Sequence, residues 1–128
     1  MNQAWMVDDD EDMGLAMKMM LKLLGFDLRY FNHARGAARA LLAGELPGLL
    51  LIDLNMPEVS GIDLLDFIRS KYRWDHLPVI MLSAETADVT VDDALKRGAD
   101  AYLFKPVSIA ELRAGIASAV HKRAERII

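Results

Sequence analysis

Cysteine is absent, so the chain has no disulfide framework and no thiolate metal site. A reducing compartment is compatible with that, and a cytoplasmic location is the expectation. No apolar run approaches the roughly 20 residues of a membrane helix. The N-terminus has no basic region ahead of a long apolar stretch, so it does not read as a signal peptide. Basic residues are not in excess: 15 Lys and Arg stand against 19 Asp and Glu, for a net charge of −4. That balance gives no reason to expect direct contact with nucleic acid, and nothing points to a membrane. Histidine is sparse, and His33, His76 and His121 are scattered; they suit surface or helix-end roles better than a metal cluster.

Apolar residues make up 53% of the 128 positions, enough for one domain with a real core. They fall into alternating strand and helix patterns. Residues 3–7 read as a strand. Residues 11–24 have helical period, with Met13, Ala16, Met17, Met20, Leu21 and Leu24 on one face and Gly25 as the stop. Residues 27–31 read as a second strand, and residues 33–43 as an Ala- and Leu-rich helix ended by Gly44. GLLLID (48–53) is a continuous apolar run, as expected of a strand buried on both faces. A loop with Pro57 and Gly61 leads to a helix over 62–72, with Ile62, Leu65 and Ile68 inward. PVIMLS (78–83) reads as strand four, followed by a helix over 86–97 with Val91, Ala94 and Leu95 inward. Strand five covers 100–104. Ser108 then caps a last helix with Ile109, Leu112, Ile116, Ala119 and Val120 on one stripe. Five β–α units imply an α/β domain with a parallel sheet covered on both faces, doubly wound by right-handed crossovers.

In such a sheet, sites form beyond the C-terminal strand ends. Strand one ends in VDDDED (7–12), five acids in a row, of which Asp10, Glu11 and Asp12 suit the first turn of a helix. That leaves Asp8 and Asp9 at the strand end. Strand three ends in Asp53, strand four in Ser83, and Lys105 follows strand five. Clustered carboxylates are pushed toward protonation unless a cation offsets them. All-oxygen ligands point to Mg²⁺ or Mn²⁺ and away from zinc. With Lys105 and Ser83 placed to meet phosphate oxygens, the chemistry reads as phosphoryl transfer to a carboxylate nucleophile.

Four motifs, VDD (7–9), LIDLNMPEVSG (51–61), PVIMLSA (78–84) and AYLFKP (101–106), resemble the receiver domain of two-component response regulators. The likeness runs from about residue 3 to residue 120, and the spacing of the key residues is typical of that family. The resemblance implies a flavodoxin-like (βα)5 domain over residues 1–128 with strand order 2-1-3-4-5. It implies that Asp53 accepts a phosphoryl group from a sensor histidine kinase or phosphotransfer protein. Asp9 would be the direct Mg²⁺ ligand, Asp8 would act largely through water, and the Asn55 carbonyl would complete the site. Lys105 would pair with Asp53 or with the phosphoryl group, and Lys105–Pro106 would be a cis peptide. Ser83 and the backbone N–H of Ala84 would hold phosphoryl oxygens, while Asn55 and Glu85 would tune hydrolysis. Ser83 and Tyr102 would form the switch, altering a surface over residues 86–120 that carries Val89, Lys96, Ala101 and Arg113. A downstream output domain or target protein, and a phosphorylation-linked dimer, are the further partners implied.

Some features depart from the family. A third Asp in the acidic run allows a slip in register that would bring Asp10 to the metal. Ser83 replaces a commoner Thr. Ala101 stands where many dimerising DNA-binding regulators carry an acid, which weakens the expectation of that subclass. Among rivals, an aspartyl phosphohydrolase of the haloacid-dehalogenase type needs an acid where this chain has Asn55. A flavin module would be repelled by VDDDED. A pseudo-receiver that docks without being phosphorylated remains the main alternative. The terminal HKRAERII (121–128) favours a module excised from a larger regulator over a complete single-domain protein.

Overall fold

The computed structural model describes residues 2–56, 59–84 and 91–125. Five parallel strands alternate with five helices: β1 (Asn2–Val7), α1 (Glu11–Leu23), β2 (Phe26–Phe31), α2 (Ala34–Leu42), β3 (Leu49–Asp53), α3 (Gly61–Arg69), β4 (Val79–Ser83), α4 (Val91–Lys96), β5 (Ala101–Phe104) and α5 (Ile109–Glu125). A 3-10 turn (Tyr72–Trp74) follows α3. The sheet order is β2-β1-β3-β4-β5, the flavodoxin-like arrangement expected from the resemblance.

Strand residues alternate between two cores, as the two-residue period of a strand requires. Trp5, Val7, Leu50, Ile52, Val79 and Met81 face α2, α3 and α4. Ala4, Met6, Leu49, Leu51, Ile80 and Leu82 face α1 and α5. β3 and β4 are buried throughout, which accounts for their unbroken apolar sequences. Each fully buried Leu or Ile there contributes about 1.5–3 kcal/mol of burial free energy.

Helix boundaries follow from polar caps. The Asp10 side chain accepts hydrogen bonds from the backbone N–H groups of Asp12 and Met13, opening α1. Ser60 and Asp63 cap α3 reciprocally, and Ser108 and Glu111 do the same for α5. Those Ser108 hydrogen bonds hold the exposed Glu111 carboxyl below its usual range. Gly25, at φ 92°, takes the left-handed turn that ends α1.

Three residues expected inward are not. Ala16 is exposed because α1 turns Gly14, Met17 and Leu21 to the core. Val91 is 36% exposed and Val120 is 45% exposed. In α5 the inward stripe passes through Leu112, Ile116 and Ala119 to Arg123, which is 5% exposed. That last turn lies beside the sheet's N-terminal edge, where backbone carbonyls need donors. Arg123 donates to Gly98 O at 3.0 Å and pairs with Asp100 at 2.8 Å. Asp100 also pairs with Arg69 at 2.9 Å and accepts the Val79 backbone N–H at 2.9 Å.

Candidate functional site

Register brings the functional strand ends level. Val7 lies opposite Ile52, Asp53 opposite Leu82, and Ser83 opposite Phe104. Asp8 is therefore level with Asp53, Ser83 lies one residue past that level and Lys105 two. The ladder continues past the strands, with Leu54 N–H donating to Leu82 O at 2.8 Å and Lys105 N–H to Ser83 O at 2.7 Å. Behind Asp53, α3 comes so close that a Cβ on Gly61 would lie 2.2 Å from the Asp53 carbonyl oxygen.

Lys105 joins two of the acids. Its Nζ lies 2.9 Å from Asp8 Oδ2 and 3.1 Å from Asp53 Oδ1. The Asp8 residue is fully buried, and its Oδ1 accepts the Asp10 backbone N–H at 2.9 Å. Asp9 is exposed, yet carboxylate oxygens of Asp8, Asp9 and Asp53 all lie within 4.8 Å of one another. Asp10 spends its carboxylate on the α1 cap, so the slip in register considered from the sequence does not occur.

The charges are not balanced. Among the described residues, three carboxylates face one ammonium. Burial raises the pKa of Asp53 and the Asp8 charge raises it further, against Lys105 and a hydrogen bond from the Asn55 backbone. Burial pulls Lys105 down, but its hydrogen bond to Asp8 and the charges of Asp53 and Asp8 outweigh that, so its pKa is raised and it stays a cation. When all three acids are ionised, a hard divalent cation restores neutrality, and oxygen donors suit Mg²⁺.

Ser83 is fully buried and its Oγ donates to the Ala84 carbonyl at 2.8 Å. Ala84 and Asn55 are exposed at the rim. Tyr102 is half-buried against the core on the α2, α3 and α4 side, its ring 5.3 Å from that of Phe104. Lys105–Pro106 is a cis peptide. Glu85 and Val89 lie outside the described residues. His33, His76 and His121 are all exposed. Sequence reasoning missed Tyr30, whose hydroxyl donates to the Asp8 carbonyl. Burial first, and then the charges of Asp8, Glu11, Asp9 and Asp10, raise the Tyr30 pKa.

The profile of the response regulator receiver domain matches residues 4–117. The chain belongs to that family. Two curated relatives bracket its setting. It is 33% identical over 126 residues to Protein RcaC of Microchaete diplosiphon, covering 98% of this chain and 19% of RcaC. It is 37% identical over 101 residues to the chemotaxis protein CheY1 of Helicobacter pylori, covering 78% of this chain and 82% of that one. The solved receiver domain of Francisella response regulator 1452 superposes with a TM-score of 0.79 at 29% identity, covering 100% of both chains. The receiver domain thus spans about a fifth of the first relative's length and most of the second's. Receiver domains are phosphoryl-accepting signalling switches rather than conventional enzymes. Among the described residues, no helix is long and apolar enough to cross a membrane.

Proposed function

We propose that this receiver domain accepts a phosphoryl group on Asp53 from a phosphohistidine of a kinase or phosphotransfer protein. The observation that carries this is Lys105 bridging Asp8 and Asp53, with Asp9 completing an oxygen cluster. Asp53 attacks phosphorus, a carboxylate O–P bond forms, and the P–N bond to the donor imidazole breaks. Asp8, Asp9 and Asp53, with the Asn55 carbonyl, would hold Mg²⁺, or Mn²⁺ in its place, which offsets charge on the transferring group when bound. Lys105 keeps its ammonium aimed at the same oxygens and supplies the second positive charge.

Ser83 now donates to Ala84 O; rotation of its hydroxyl would deliver that donor to a phosphoryl oxygen, with the Ala84 N–H as a second. Tyr102 would then turn toward the space that Ser83 leaves, shifting the face formed by α4, β5 and α5. Asn55 and Glu85 would flank the path of water to the phospho-aspartate. An output domain or separate target would read the altered face, and a dimer between two such faces is a further readout. A cytoplasmic setting fits this partner set. The docking-only alternative has no observation in its favour, because Asp53, Ser83 and Lys105 are all present at one edge of the sheet.

Beryllofluoride, a phosphoryl mimic, tests the reading with Mg²⁺ and backbone NMR. Shifts at Ser83, Ala84 and Tyr102, absent in Asp53→Asn, are expected. Shifts confined to the acidic loop would leave a metal site without a switch and contradict the proposal.

A further inference from the structure

We propose that Tyr30 is a positioning residue for phosphoryl transfer, holding the acidic β1–α1 loop in place through the Asp8 carbonyl; this rests on the function proposed above. Asp8 is wholly buried, and its four polar groups are all engaged. Its carboxylate is held from within the site, by Lys105 Nζ and the Asp10 backbone N–H, both at 2.9 Å. Its peptide groups are held from β2. The Asp8 N–H donates to Phe31 O at 3.1 Å, and the Tyr30 hydroxyl donates to Asp8 O.

The second of these bonds sets more than Asp8. The Asp8 carbonyl and the Asp9 N–H belong to one planar peptide unit. Holding that oxygen restrains the orientation of the plane, and with it the placement of the Asp9 Cα. Asp9 is exposed, so the backbone that carries it sets its aim. Tyr30 therefore acts on Asp9 without touching it.

The Tyr30 ring is itself seated on a gap in α1. A Cβ on Gly14 would fall 2.8 Å from Tyr30 Cδ1 and 2.9 Å from Cε1. Gly14 is buried in the first turn of α1, and glycine within a helix costs up to about 0.5–1 kcal/mol relative to alanine. Removing that side chain is what lets the ring lie close enough for its hydroxyl to reach the loop. A phenylalanine would fill the same space, so the hydroxyl is the part that packing does not explain.

The test compares wild type, Tyr30→Phe, Gly14→Ala and the double variant in Mg²⁺ titrations followed by NMR, and in the rate of phosphorylation by acetyl phosphate. Thermal unfolding and circular dichroism are recorded beside them. Tyr30→Phe keeps the ring and should raise the Mg²⁺ Kd about fivefold, the worth of one ordinary hydrogen bond, with a modest fall in the unfolding midpoint because the buried Asp8 carbonyl loses its donor. Gly14→Ala pushes on the ring and should weaken Mg²⁺ binding in wild type but add little in the Tyr30→Phe background. Unchanged Mg²⁺ affinity in Tyr30→Phe, with or without a loss of stability, overturns the inference, because the ring is then only packing. Independent, multiplying effects of the two substitutions overturn it as well. A wild-type chain that neither binds Mg²⁺ nor takes a phosphoryl group overturns the proposed function and this inference together.

Discussion

Burial raises the pKa of Asp53 and the Asp8 charge adds to it, with Lys105 pulling the other way. The folded-state pKa thus lies above the unfolded value, so the proton favours the fold. That contribution is fully present below the ordinary carboxylate range and is lost as pH rises through the raised pKa. Asp53→Asn removes the ionisation and should stabilise the metal-free protein at pH 8 by about 0.5–2 kcal/mol, with little gain at pH 3. Urea unfolding at the two pH values measures the difference, and an equal gain at both would show that charge is not the cause. Gly61 answers to a different constraint. A Cβ there would lie 2.2 Å from Asp53 O and 2.9 Å from Leu54 Cα. Both are backbone atoms and neither can swing away. Gly61→Ala should cost about 1–3 kcal/mol by overpacking and weaken Mg²⁺ binding in the same protein, read by urea unfolding and by titration.

At the level of elements, the two ends of the sheet do different work. The C-terminal end carries the acids, and the N-terminal end is tied by Asp100, which binds Arg69 from α3 and Arg123 from α5. Asp100→Ala leaves two largely buried guanidinium groups without their carboxylate and should cost about 3–5 kcal/mol. Arg123→Met leaves the Arg69 pair intact and should cost less, with faster amide hydrogen exchange concentrated in the last turns of α5. The strands were readable because an apolar run against a polar end is a local signal, and so were Asp8, Asp9, Asp53, Ser83 and Lys105 as the polar residues at those ends. Arg123 was not readable. In sequence it looks like a charge near a helix end, and its inward aim depends on Asp100 and Gly98, brought near only by the fold. Tyr30 escaped for the same reason, since its partner Asp8 is 22 positions away. Val120 misled because it continues an apolar run, yet it falls to the side of the buried stripe of Leu112, Ile116, Ala119 and Arg123.

For the whole molecule, ligand binding and stability are linked. A cation that binds the folded site and not the unfolded chain should stabilise by about 1.4 kcal/mol at ten times its Kd. Mg²⁺ should raise the unfolding midpoint of wild type, and Asp9→Asn should abolish most of that rise while leaving the metal-free midpoint close to wild type, because Asp9 is exposed. The most direct test of the account is the intact mass of the protein after incubation with acetyl phosphate and Mg²⁺. The account predicts one added phosphoryl group, lost on chelation of Mg²⁺ during the reaction and absent from Asp53→Ala. A phosphoryl group that persists in Asp53→Ala, or none in wild type under any Mg²⁺ concentration, would contradict it.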